Sequence, residues 1–143
     1  RLNYNGVFMN FIESISACFQ KYFDFKGRAS RSECWFFILF TFIYTFVAGI
    51  LLGAIGATTE TIDAATIFIV LPIIAPYFAV VARRLHDFNH SGWMQLIFVP
   101  GWFADLILGT GWVIYVVNFA IFAFYISQKP MTGKNKFGPK PKK

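Results

Sequence analysis

The sequence is short of charge and of cysteine, and these shortages restrict the kind of protein that it encodes. Charged side chains make up 14% of the 143 residues, against about a quarter in ordinary soluble domains. The apolar share is 57% and includes nineteen phenylalanines and four tryptophans. A soluble domain of this length would leave large apolar patches in water. The composition therefore predicts an integral membrane protein that forms a single domain, residues 1–143.

Catalytic and metal-binding motifs are also missing from the sequence. It contains no glycine-rich phosphate loop after a strand, no nucleophile elbow and no metalloprotease helix motif. Cys18 and Cys34 match no zinc or redox spacing and have apolar neighbours, so we expect free, buried thiols. We therefore expect a protein that is not an enzyme and that uses neither a cofactor nor a metal.

Positive charge is distributed unevenly along the chain. All thirteen lysines and arginines lie in residues 1–31, 83–84 and 129–143. The two stretches between these segments contain no lysine or arginine, but they hold five of the seven acids, including Glu60, Asp63 and Asp105. The positive-inside rule produces this kind of segregation, with the basic segments in the cytoplasm. It also argues against nucleic acid as a partner.

Hydrophobic periodicity predicts an all-α fold, a polytopic membrane helix bundle with about four transmembrane helices behind an amphipathic helix. Residues 6–25 repeat apolar side chains at helical spacing, and Glu13 and Lys21 belong to the opposite face. We expect this helix to lie in the headgroup plane, or to pack against the cytoplasmic end of the bundle. A transmembrane helix needs about 20 apolar residues. The predicted spans are residues 35–56, 64–82, 91–108 and 112–128.

The last two spans come from one apolar region, residues 91–128, which is too long for a single crossing. Asp105 and the glycine-rich residues 109–111 divide it. The alternative is one long span plus an interfacial segment, which would place the C-terminal tail outside. Six lysines in this tail, residues 129–143, favour four spans with both termini in the cytoplasm.

A charged stretch, residues 82–93, separates two apolar runs, and we expect a polar turn at one membrane face. His86 and His90 are four residues apart with Asp87 between them, a spacing that would suit a metal on a continuous helix. Residues 89–92 are typical of a turn, which would break this spacing. Hydrogen bonding to an arginine or a helix end is the favoured role of these side chains.

Two arginine pairs accompany this stretch. Arg83 and Arg84 have guanidinium groups that suit carboxylates and phosphates. Their candidate ligands are lipid headgroups, a protein partner, and the carboxylates of Asp87 and Glu33. Arg28 and Arg31 belong to a basic turn that is either an anionic-lipid clamp, at about 1 kcal/mol for each basic residue, or a topology signal.

Three motifs carry a resemblance to a known family. They are residues 25–33 followed by Trp35, residues 82–93, and residues 133–139. Together they resemble the signatures of the YhaH-like bacterial inner-membrane family, domain of unknown function 805. The resemblance covers the chain from about Phe19 onward. It implies a small multi-pass protein of the bacterial inner membrane, and the family brings no established activity.

Four spans would place all three motifs on the cytoplasmic face, where we predict one polar cluster with the tail docked against it. This cluster is the candidate site for contact with lipid or a partner. Its predicted members are Arg28, Arg31, Glu33, Arg83, Arg84, His86, Asp87, Asn135, Phe137 and Gly138.

The sequence supports three competing hypotheses of function. The first is a non-enzymatic scaffold or adaptor that contacts anionic lipid headgroups and a protein partner, or a second copy of itself, through its cytoplasmic face. The alternative is an oligomeric small transporter or channel, in which Pro72 and Pro76 kink a span and shape a conduit. An enzyme acting on lipids through His86 and Asp87 is the least favoured.

Overall fold

The computed structural model describes residues 9–97 and 112–139, and the regular secondary structure of this part is helical. No strand occurs in these two ranges, apart from an isolated bridge between Asn135 and Gly138. The prediction of an all-α fold is confirmed for the described residues. The elements are α1 (Phe11–Gln20), α2 (Arg31–Ala54), α3 (Thr59–Asp87), a 3₁₀ helix (Gly92–Ile97) and α4 (Trp112–Ile126).

Helix α1 is shorter than the predicted amphipathic helix, residues 6–25. Asn10 is the N-cap of α1. Its Oδ1 accepts the Glu13 N–H at 2.9 Å, and Glu13 Oε2 accepts the Asn10 N–H at 3.1 Å. This capping box satisfies two backbone donors that a helix start leaves free. In the predicted C-terminal extension, residues 21–23 form a turn and residues 24–25 have no regular secondary structure. Residues 6–8 lie outside the described residues.

The face of α1 that packs into the bundle consists of small side chains. Ser14, Ala17 and Cys18 are buried, although the sequence pattern places Ser14 on the polar face. Small residues allow close approach of two backbones, and aromatic rings close the contact on either side. Phe11 packs edge-on against Phe36 at a centroid distance of 5.9 Å. Helix α1 therefore packs against α2, at the end of the bundle where α2 begins.

Helices α2 and α3 are the two described helices that are long and apolar enough to cross a membrane. Ser30 caps α2, because its Oγ accepts the Glu33 N–H at 3.1 Å. The predicted span 64–82 lies within α3, and the predicted span 35–56 runs two residues past the end of α2. The fold positions these two helices side by side.

The other two predicted spans are described only in part. The first six helical residues after position 91 form the 3₁₀ helix, and residues 98–111 lie outside the described residues. Helix α4 has 15 residues, a length of about 22 Å at 1.5 Å per residue. A hydrocarbon core is about 30 Å thick. The count of four spans therefore stays a prediction.

Both long helices are covered by protein at one end and bare at the other. In α3 the buried side chains concentrate from Pro76 to Asp87, whereas Ile67, Phe68 and Leu71 are exposed. In α2 the buried residues are Glu33, Cys34 and Phe37, and large apolar side chains are exposed from Leu39 onward. A bilayer would satisfy this bare apolar surface. We call the covered end, residues 33–37 of α2 and 76–87 of α3, the wrapped end, and the buried charged groups of the two helices collect there.

Candidate functional site

The centre of the wrapped end is the carboxylate of Asp87, the last residue of α3. One oxygen, Oδ1, lies 2.6 Å from Arg28 Nη2, and the other, Oδ2, lies 2.5 Å from Arg84 Nη1. All three side chains have a relative exposure of 1% or less. Charge-assisted contacts of this length are among the stronger hydrogen bonds in proteins. Asp87 thus joins the end of α3 to the turn that precedes α2.

A second buried ion pair joins α3 to α2 directly. Arg83 Nη1 lies 2.8 Å from Glu33 Oε1, and Arg83 Nε donates to the Ala79 carbonyl oxygen at 3.3 Å. Glu33 and Asp87 were both candidate ligands of the pair Arg83 and Arg84. Arg83 binds Glu33, and Arg84 binds Asp87. The second terminal nitrogen of Arg83, Nη2, is buried without a hydrogen-bond partner in the described part of the chain.

The buried charges do not cancel. Three guanidinium groups meet two carboxylates, so these five side chains carry one net positive charge. An unbalanced buried charge is costly unless its hydrogen-bonding capacity is satisfied. An arginine has five N–H donors, and here backbone carbonyls accept many of them. Arg84 donates to the carbonyl oxygens of Ile126 at 2.9 Å and Gln128 at 2.7 Å, where α4 ends.

The tail that follows α4 supplies the remaining acceptors. Arg28 donates to the carbonyl oxygens of Met131 at 2.8 Å and Gly133 at 2.6 Å. The Met131 N–H in turn donates to the Asp87 carbonyl oxygen at 3.2 Å. The described tail, residues 127–139, is therefore docked on the end of α3, and main-chain groups make much of the contact.

Two tail side chains fix the position of the docked segment. Asn135 Nδ2 donates to the His86 carbonyl oxygen at 2.8 Å. The Phe137 ring stacks on the His86 ring with a centroid distance of 3.8 Å and an interplanar angle of 6°. Asn135 and Gly138 exchange backbone hydrogen bonds of 3.1 Å, and Gly138 has φ +125°, which favours glycine. The tail therefore closes into a small turn over His86.

The charged residues of the stretch 82–93 lie in α3 and not in a loop. Helix α3 continues through Asp87, and the turn begins at Phe88, with Asn89 at φ +64°. The expected polar turn is thus limited to its second half. The reason is that Arg83, Arg84 and Asp87 have partners within the protein, so the helix extends beyond the apolar run.

His86 contributes to this packing through two edges of its ring, in addition to the stacking on Phe137. Its Nδ1 lies 3.0 Å from the Gly27 carbonyl oxygen, and its Nε2 would lie 3.3 Å from a Cβ added to Gly92. In the two described ranges no group of three or more histidine, cysteine, aspartate or glutamate side chains is placed to hold a metal. His86 acts here as a hydrogen-bonding and stacking residue.

Arg31 is the predicted member that the structure leaves apart. Its side chain is exposed, and none of the hydrogen bonds or ion pairs between described residues involves it. The other nine predicted residues contact one another through the two ion-pair groups and the docked tail. We call these nine residues the polar cluster: Arg28, Glu33, Arg83, Arg84, His86, Asp87, Asn135, Phe137 and Gly138.

Cys18 and Cys34 are free and buried, as expected, and lie next to this site. Burial raises the pKa of the Cys18 thiol to about 12, and the Glu33 carboxylate contributes in the same direction. A thiol with such a pKa contains almost no thiolate at neutral pH and is a poor nucleophile. Cys18 therefore fills space beside the ion pair of Arg83 and does not offer reactive chemistry.

Sequence reasoning missed Tyr22, whose hydroxyl donates to the Pro72 carbonyl oxygen at 2.8 Å. In a regular α-helix that carbonyl would accept the N–H of residue 76, which is a proline and has none. The two prolines four residues apart were the signal for this partner, because Pro76 leaves the carbonyl oxygen of Pro72 without its usual donor.

The hydroxyls of Thr41 and Thr45 donate to carbonyl oxygens of their own helix.

These features define a helical membrane protein in which a buried cluster of charges closes one end of the two long helices and holds a docked tail. The chain belongs to the family described as "Protein of unknown function (DUF805)", which matches residues 22–139. It is 40% identical over 126 residues to inner membrane protein YhaH of Escherichia coli strain K12, covering 86% of this chain and 91% of that protein. It is 29% identical over 124 residues to inner membrane protein YhaI of the same strain, covering 86% and 90%. No solved structure matches the chain.

Proposed function

We propose that this protein is a non-enzymatic scaffold or adaptor of the bacterial inner membrane, with four spans and with the polar cluster and both termini in the cytoplasm. The observation that carries this proposal is the division of charge at the wrapped end. The acids Glu33 and Asp87 are buried in ion pairs. The exposed basic residues around them are Lys26, Arg31, Lys129, Lys134 and Lys136. These five basic residues outnumber the exposed acids of this end, Glu13 and Asp24, so the surface here is basic.

The opposite end of the two long helices has the other sign. Glu60 and Asp63, in the first turns of α3, are exposed, and no basic residue lies in the described residues 32–82. Basic residues remain on the cytoplasmic side of a bacterial membrane. This polarity supports a cytoplasmic position for the polar cluster and for the tail docked on it.

Different residues have different parts in this function. Arg28, Arg84 and Asp87 position the tail, because they bind its main-chain groups and one another. The exposed Arg31, Lys134 and Lys136 have no carboxylate partner among the described residues and can meet anionic headgroups or an acidic protein surface. Each basic residue close to an anionic membrane contributes about 1 kcal/mol of attraction. In this proposal the buried ion pairs hold the docked tail in place, and the exposed basic residues form the binding surface.

Copurification from native membranes tests this proposal, with the bound lipids and proteins identified by mass spectrometry. Arg31→Glu and the pair Lys134→Glu and Lys136→Glu should reduce the recovery of anionic lipid and of any bound protein. Glu60→Lys and Asp63→Lys are the matched controls, because they add charge at the opposite end. Equal recovery from all these variants would contradict the proposal.

Orientation is tested separately by cysteine accessibility in intact cells. Cys18 and Cys34 are buried, so single cysteines introduced at Lys134 and at Asp63 report on the two ends. A membrane-impermeant maleimide should label position 63 in spheroplasts and position 134 only after the membrane is opened. The reverse pattern would overturn the cytoplasmic assignment. The alternative prediction, a transporter or channel, is checked by solute flux into liposomes that contain the purified protein.

A further inference from the structure

A shallow groove lies at the segment between α1 and the basic turn. It has a volume of about 630 Å³ and is lined by residues 20–26, which we call the interfacial segment. Neither the polar cluster nor the docked tail contributes to its lining. The groove is a separate feature of the surface, and its chemistry differs from that of the cluster.

Two contacts fix the position of this groove along α3. The interfacial segment begins near Pro72, whose carbonyl oxygen accepts the Tyr22 hydroxyl, and it leads to Gly27, whose carbonyl oxygen lies 3.0 Å from His86 Nδ1. Between these two levels α3 changes character, because Leu71 is exposed whereas Pro76 and the residues after Phe78 are buried up to Leu85. The groove therefore lies where the bare apolar surface ends and the wrapped, charged end begins. In a bilayer this boundary is the headgroup region.

The lining of the groove is amphiphilic. Lys21 and Lys26 provide two ammonium groups, and neither makes an ion pair with another described residue. The Phe23 side chain is 75% exposed although it is large and apolar. Asp24 is the one acid of the segment, and its Oδ1 accepts the Lys26 backbone N–H at 3.0 Å. Two cations beside one carboxylate leave the groove with a net positive charge.

We propose that this groove binds one anionic phospholipid of the surrounding bilayer, with its phosphate between Lys21 and Lys26 and an acyl chain against Phe23. A soluble anion would satisfy the two lysines but would leave the Phe23 side chain in water. A zwitterionic lipid would satisfy Phe23 but would bring its own cation close to the lysines. An anionic phospholipid meets both requirements at the boundary between the apolar surface and the charged end. This inference depends on the membrane position in the proposed function and adds a defined site to it.

Native mass spectrometry of the detergent-solubilised protein tests the site, with phosphatidylglycerol and phosphatidylcholine of identical acyl chains as probes. The variant Lys21→Gln/Lys26→Gln should bind phosphatidylglycerol about thirtyfold more weakly, if each of the two lysines contributes about 1 kcal/mol. Its binding of phosphatidylcholine should not change. The matched control is Lys134→Gln/Lys136→Gln, which removes the same charge from the tail and should retain the lipid. Both pairs are exposed or partly exposed, and a thermal melt checks that each variant is folded.

The outcomes separate the groove from the basic surface of the proposed function. Loss of lipid from the tail variant alone would overturn the groove and support the basic surface. Equal loss from both variants would overturn the groove in favour of general charge attraction, and no loss from either would contradict both ideas. Phe23→Ser should weaken the binding of phosphatidylglycerol severalfold. In the unmodified protein, inorganic phosphate should not displace the bound phosphatidylglycerol. Displacement by inorganic phosphate would overturn the assignment to a lipid.

Discussion

The hydroxyl of Tyr22 takes the place of a backbone N–H that α3 lacks, because it donates to the Pro72 carbonyl oxygen at 2.8 Å. Residue 76 is a proline and offers no donor to that carbonyl. A carbonyl without a partner near the membrane costs free energy, because lipid supplies no donor. Tyr22 therefore stabilises the proline-containing part of α3 from outside the helix, and the position of the interfacial segment depends on it.

This relationship predicts how stability responds to Tyr22→Phe in two backgrounds. In the natural sequence the change removes one hydrogen bond and should cost about 1 kcal/mol. With Pro76→Ala the new N–H satisfies the Pro72 carbonyl, so Tyr22→Phe should cost much less. Unfolding of the four proteins in detergent gives the coupling energy of this double-mutant cycle. The same cost in both backgrounds would show that Tyr22 does not serve the missing donor.

Asp87→Asn should be among the most damaging single substitutions in the chain. It leaves Arg28 and Arg84 buried without their shared carboxylate, and breaking such a pair costs about 3–5 kcal/mol. Chemical unfolding, or the folded fraction after extraction, measures the loss. Arg31→Gln is the control, since this exposed arginine should contribute less than about 0.5 kcal/mol. Comparable effects of the two substitutions would contradict the role of Asp87.

Phe137→Ala should release the tail while leaving α2 and α3 folded. The substitution removes the ring that stacks on His86 at 3.8 Å, and the tail then loses its aromatic contact. Limited trypsin digestion reports the change, because Lys134 and Lys136 lie in the docked segment. Cleavage at these lysines should become severalfold faster than in the unmodified protein. Met131→Ala is the control, as the Met131 side chain is exposed and its backbone makes the contacts.

Gly92→Ala and Gly49→Ala should have opposite effects on stability. A Cβ at Gly92 would lie 2.8 Å from the Ala82 Cβ, and overpacking of this kind costs about 1–3 kcal/mol. A Cβ at Gly49 meets nothing within 4 Å, and alanine favours a helix over glycine by about 0.5–1 kcal/mol. Thermal melting of the two variants gives the comparison. A neutral Gly92→Ala would mean that the 3₁₀ helix does not pack on α3 as closely as described.

Much of the fold was accessible from the sequence because it depends on composition. The two long apolar helices follow from uncharged runs, and Glu33 was among the predicted ligands of the arginine pair because guanidinium groups suit carboxylates. The bounds of α1 were not accessible in the same way. Hydrophobic spacing continues through residues 6–25, whereas the start of the helix depends on a single local hydrogen-bond exchange between Asn10 and Glu13.

The details of the polar cluster were harder to predict for a different reason. Arg28 and Arg84 bind backbone carbonyls of residues 126–133, and every residue type has a carbonyl. The order of side chains in a sequence therefore does not indicate which carbonyl oxygen an arginine binds. The docking of the tail was predictable only from the three motifs taken together, and its main-chain acceptors required the structure.

The order of these acceptors in the chain has a consequence for biosynthesis. Met131 and Gly133 follow Arg28, Arg84 and Asp87 in the sequence, so the ribosome makes them after both long helices have emerged. Until then the guanidinium groups lack the carbonyls that complete their coordination. Closure of the cluster is therefore a late step of assembly. Chains that end before Met131 therefore expose a charged end whose arginines lack these carbonyl partners.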